Sequence, residues 1–128
     1  MLTFSRVGST VIFPLLLLLL FSTTAFADKA SVTISAPESV KKGTVVTIKI
    51  QVTHSGNNFI HHVDWAQIKV DGKEVKRWDY SWTDTPESEN FEREYKQTVM
   101  GPIEVSAQAD CNIHGSTGEV KKQIKVTE

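Results

Sequence analysis

The sequence predicts an all-β domain, a two-sheet antiparallel sandwich of about seven short strands. Three observations carry this. Apolar and polar residues alternate over short runs, turn-forming residues separate those runs, and no stretch repeats its apolar residues at helical spacing.

Taken in order, "SVTISAP" (Ser31 to Pro37) alternates and stops at a proline. "ESVKKG" reads as a turn closed by Gly43. "TVVTIKIQVTH" alternates again and places Val46, Ile48, Ile50 and Val52 on one face. "SGNN" (Ser55 to Asn58) is a loop signal. "HHVDWAQIKVDGKEVKRWDY" reads as two strands joined at Asp71-Gly72, a dipeptide suited to a tight hairpin. "TDTPESEN" is a polar loop, and "FEREYKQTV" alternates with Phe91 and Tyr95 on one face. Gly101-Pro102 turns the chain into "IEVSAQADC", and "GEVKKQIKV" closes the domain. Strands of this length and spacing predict a sandwich of immunoglobulin type.

The first 27 residues stand outside this pattern. Arg6 precedes an apolar run from Val11 to Phe21, and Ala25-Phe26-Ala27 follows as a small-x-small cleavage pattern. The run is shorter than the roughly 20 apolar residues a membrane-spanning helix needs, and it contains Pro14. Residues 1–27 are expected to be a cleaved secretory signal, with residues 28–128 as one periplasmic or secreted domain. Of the 14 Lys and Arg residues, only Arg6 precedes Asp28, so 13 remain against 15 acidic residues, a net charge of −2. No basic face points to nucleic acid.

Cysteine and histidine carry the chemistry. Cys111 is the single cysteine, so no internal disulfide is possible. A free thiol in an oxidising compartment is open to oxidation unless it is buried, bridged to another chain or bound to metal. His114 follows at Cys-x-x-His spacing, which can place a thiolate and an imidazole on one metal from one loop. Both are good donors for late first-row metals. A second loop carries His54, with His61 or His62 on its far side. A blue-copper carrier uses a similar set, but its axial methionine comes shortly after the cysteine, and no methionine follows Cys111.

"CNIHG" (Cys111 to Gly115) resembles the Cys-Asn-x-His-Gly motif of the superoxide reductases, the desulfoferrodoxin and neelaredoxin family. "HHVDW" (His61 to Trp65) resembles the stretch that follows the family's His-Pro loop, and "SAPESVKKGTVVTIKIQV" resembles its first strands. The resemblance covers residues 28–128. It implies a mononuclear non-haem iron centre with four coplanar histidines, an axial cysteine thiolate and one open position. It implies as ligands Cys111, His114, His54 and His61, with His62 at a position that is not a ligand. It implies reduction of superoxide to hydrogen peroxide with electrons from an external donor protein.

Two departures stand out. Asp28, Lys29 and Ala30 occupy the offsets before Pro37 where the family carries Glu-Lys-His, so an alanine replaces the fourth histidine. The loop between His54 and His61 is one residue longer than the family's, and His-Pro becomes His54-Ser55. The resemblance gives Lys29 the catalytic role of attracting superoxide, and makes the Asp28 carboxylate or the freed α-amine a replacement donor. Iron binding with slowed superoxide reduction is the expectation, and a metal-binding sandwich with little reductase activity is the alternative.

Overall fold

Among the described residues, eight strands build two sheets. The computed structural model describes residues 29–128; the expected signal segment and Asp28 lie outside them. The strands are β1 (Ser31–Ser35), β2 (Ser39–Lys41), β3 (Thr44–Thr53), β4 (Val63–Val70), β5 (Lys73–Asp79), β6 (Asn90–Val99), β7 (Ile103–Cys111) and β8 (Val120–Thr127). One sheet runs β1-β3-β6 and the other β2-β8-β7-β4-β5. All pairings are antiparallel except β2 with β8. The all-β sandwich of the sequence reading is the observed fold. One element differs: Ser39–Lys41, read as part of a turn, is a three-residue strand parallel to β8. The turn itself follows, with Gly43 at φ +86°.

The core lies where the alternation puts it. Val46, Ile48, Ile50 and Val52 of β3 are all buried, and so are Val105, Ala107, Ala109 and Cys111 of β7. Apolar area removed from water, at about 25 cal/mol per Å², holds the two sheets face to face. The β4–β5 hairpin turns at Asp71 (φ 49°) and Gly72 (φ 78°). Two consecutive positive φ values match the right-handed twist of the flanking strands, and only small turn residues adopt them cheaply.

Three chain segments meet at one end of the sandwich. β3 of the first sheet ends there at Thr53, β4 of the second begins at Val63, and β7 ends at Cys111. The loop from His54 to His62 therefore crosses from one sheet to the other. β4 and β7 pair Val63 with Cys111, and a register shift between Val63 and Trp65 re-aims the strand there. The 80–89 loop props the crossing segment. Its Glu89 carbonyl accepts the His54 amide at 2.8 Å, and its Ser88 carbonyl accepts Asn57 Nδ2 at 2.8 Å. Arg93 of β6 anchors that loop by a two-pronged contact to Glu87 at 2.8 and 2.9 Å. Those hydrogen bonds hold the Glu87 carboxyl at about 2, against an ordinary 4.5. The contact therefore tightens the loop at neutral pH and weakens as pH falls from 4.5 toward 2, by a small amount because Glu87 is solvent-exposed.

Candidate metal centre

The geometry of Cys111 starts with a tight turn. Its amide donates to the Gly115 carbonyl at 2.9 Å, and the Gly115 amide donates back to the Cys111 carbonyl at 3.0 Å. Closing the turn requires φ +78° at Gly115, a conformation natural to glycine. The turn swings His114 back over the strand end, so that its amide N–H donates to Cys111 Sγ at 3.4 Å. That is the kind of amide-to-sulfur bond expected to steady a thiolate. Cys111 itself is buried, at 2% exposure.

Three imidazoles converge beside this sulfur. His54 Nε2 lies 3.1 Å from His61 Nε2, which lies 3.0 Å from His114 Nδ1. His114 Nδ1 is 3.9 Å from Cys111 Sγ. The donor atoms of His54, His61 and Cys111 all fall within 4.8 Å of one another. One proton between ring nitrogens satisfies one such contact, yet His61 Nε2 faces two. A shared cation satisfies both. Metal–nitrogen bonds of about 2.0–2.1 Å put neighbouring nitrogens roughly 2.9–3.4 Å apart for angles from 90° to tetrahedral, and both spacings here fall in that range. The donors fit a single metal ion.

Asparagines hold the rings in place. Asn57 Oδ1 accepts from the His54 ring at Nδ1 (3.1 Å) and from the Val63 amide (2.9 Å). A proton on Nδ1 leaves the Nε2 lone pair facing the cluster, the tautomer a metal requires. Asn58 Oδ1 accepts the amides of Ile60 and His61, each at 2.9 Å. Asn112 stitches the two loops together: its Oδ1 accepts the His62 amide (3.0 Å) and its Nδ2 donates to the Ile60 carbonyl (2.9 Å). Sequence reasoning missed all three roles. "SGNN" signalled a loop, and Asn112 was legible only as part of "CNIHG".

The sequence-predicted residues divide clearly. His54, His61, Cys111 and His114 come together. His62 does not: it is buried, and its Nδ1 is engaged by the Asn58 carbonyl at 3.1 Å. Lys29 lines a cavity of about 270 Å³ together with Ser31, Thr53, His54 and Glu89. Ala30 is fully buried, with its amide donating to the Gly115 carbonyl at 3.2 Å. Beside the cysteine, burial and the nearby Asp64 push the Asp110 carboxyl above its ordinary value.

A family profile described as Desulfoferrodoxin matches residues 22–117. The chain belongs to the desulfoferrodoxin family. The solved structures agree on the fold of this desulfoferrodoxin-family chain. A superoxide reductase (neelaredoxin) from Ignicoccus hospitalis is similar at 21% identity and TM-score 0.67, covering 84% of this chain and 89% of that one. A putative superoxide reductase from Thermotoga maritima is similar at 25% identity and TM-score 0.58, covering 77% and 86%. The sulfur carrier protein SoxY from Chlorobium limicola shares the sandwich at 16% identity and TM-score 0.55, covering 76% and 79%. Comparison with curated protein sequences finds no match.

The contrast between adjacent histidines gives a direct test. His61→Ala is expected to strip most of the metal, because it removes the ring that contacts both others. His62→Ala is expected to leave the metal content per folded chain close to native. Elemental analysis of the two purified variants reads this, and equal losses would place the ligand register one residue off.

Proposed function

We propose that this protein is an exported mononuclear iron protein that reduces superoxide to hydrogen peroxide. The observation that carries the reading is the convergence of His54, His61 and His114 beside the Cys111 sulfur, in a chain of the desulfoferrodoxin family. Bound iron would supply the electron that superoxide takes up, and an external donor would restore it. The balanced change is superoxide plus one electron plus two protons giving hydrogen peroxide.

The chain's own residues have distinct parts in this reading. Cys111 supplies a strongly donating thiolate from a buried position. His54 and His61 offer Nε2, His114 offers Nδ1, and Asn57 fixes the tautomer of His54. Superoxide reaches the site from the solvent face, where His114 is exposed. Lys29, on the cavity beside His54, adds positive charge that favours an anion. Phe59, Ile60 and Ile113 are 68%, 61% and 55% exposed on the two ligand loops. An electron-donor protein docks on that apolar rim in this reading, since transient redox complexes use small contacts. Residues 1–27 direct export, and residues 28–128 form the metal domain. Ala30 in place of a fourth imidazole favours a second reading, in which the centre binds metal with little turnover.

Peroxide stoichiometry separates the readings. Iron-loaded protein given superoxide and an excess of reductant is expected to yield one peroxide per superoxide consumed, more slowly than its four-histidine relatives. Dismutation yields one peroxide per two superoxide. That ratio, or no consumption above the metal-free protein, would contradict the reductase reading.

A further inference from the structure

We infer that the described residues give the centre four protein donors, three imidazoles and one thiolate, and that it therefore takes zinc in competition with iron. The inference rests on the donor assignment above. The supply of ligands is the first argument. The chain contains four histidines and one cysteine, and His62 is engaged by the Asn58 carbonyl. Three imidazoles and one thiolate remain. Among the described residues, the one cluster of at least three ligating side chains is His54, His61 and Cys111, and His114 joins it through Nδ1.

The second argument is Ala30. β1 and β3 pair with Ser31 opposite Thr53 and Val32 opposite Val52. Beyond that pair the two chains part: Ala30 bridges Ser116, and the His54 amide donates to the Glu89 carbonyl. Successive side chains of a strand point to opposite faces. Val32 and Val52 face inward, and Ala30 and His54, two residues beyond them, are buried as well. Ala30 is 0% exposed. Its amide donates to the Gly115 carbonyl at 3.2 Å, and its carbonyl accepts the Thr117 amide at 3.0 Å. Those two bonds fasten the strand end to the segment that follows His114. Lys29 and Ser31 are turned to the opposite face, where both line the cavity. A buried methyl group thus stands at the position before β1 where the resemblance expects an imidazole, and among the described donors His114 is exposed and His61 partly so.

Donor number decides metal preference here. Zinc is satisfied by four nitrogen and sulfur donors in a tetrahedron. It also binds such donors more tightly than ferrous iron, so a site that holds iron must do so by geometry. A centre restricted to four donors gives up that protection. The zinc form has no redox chemistry, so the iron-loaded fraction would set the activity of a given preparation.

Cobalt reports coordination number directly. The metal-free protein loaded with Co²⁺ is expected to show a thiolate charge-transfer band together with intense four-coordinate ligand-field bands. Ala30→His adds an imidazole at this buried position, and is expected to cause loss of that intensity. The same substitution is expected to lower the zinc-over-iron preference by at least about tenfold, the scale on which supporting groups alter metal affinity. If Ala30→His does not fold, the native cobalt spectrum decides alone. Weak ligand-field bands beside a clear thiolate band would overturn the four-donor limit and leave the donor assignment standing. Absence of the thiolate band would overturn both.

Discussion

Cys111→Ser is expected to abolish the visible thiolate-to-iron band and to leave the protein unable to retain iron through purification. The sulfur is the donor a hydroxyl cannot replace: serine stays protonated at neutral pH and offers iron a weak neutral oxygen. The fold should survive, because Cys111 ends β7 through backbone bonds to Gly115 that serine keeps. The swap also preserves size at a buried position. Visible absorption and metal analysis of the folded variant check this. A native spectrum in Cys111→Ser would show that the thiolate is not a ligand, and the account of the centre would lose its base.

Asn57→Leu is expected to weaken metal binding by about 10–100-fold without touching a ligand. Asn57 Oδ1 accepts from both His54 Nδ1 and the Val63 amide, while Nδ2 reaches the Ser88 carbonyl. Leucine frees the His54 ring to turn and to exchange tautomers. It also leaves the amide of buried Val63 without its acceptor, at a cost of about 1–3 kcal/mol. Asn57→Asp keeps both acceptor contacts and is expected to retain most of the metal affinity. Chelator competition gives the affinity and urea unfolding gives the stability. A loss of stability alone, with metal affinity unchanged in Asn57→Leu, would reduce Asn57 to a loop brace.

Most of the fold was legible because each strand signal is local. The alternation of Val46, Ile48, Ile50 and Val52 is a property of ten consecutive residues, and the structure buries all four. Asp71-Gly72 names its own turn. β2 was not legible, because three residues cannot display alternation and their partner, β8, lies at the far end of the chain.

The centre divides along the same line. Cys111 and His114 share one turn, so their spacing already paired them. Spacing could not choose between His61 and His62, since adjacent residues differ only in the direction the backbone gives them. The resemblance chose His61, and the ring contacts to His54 and His114 agree. Asn57 and Asn112 act across loops, the latter on Ile60 and His62, so no local pattern announces them. Ala30 was visible as an absence in the sequence. Only the structure shows what the residue does: it is buried, and its backbone ties the start of β1 to Gly115 and Thr117.

X-ray absorption at the iron edge of the iron-loaded protein tests the central claim most directly. The account predicts one sulfur scatterer from Cys111, together with the outer-shell pattern of three imidazoles from His54, His61 and His114. A first shell of nitrogen and oxygen alone, with no sulfur, would contradict it.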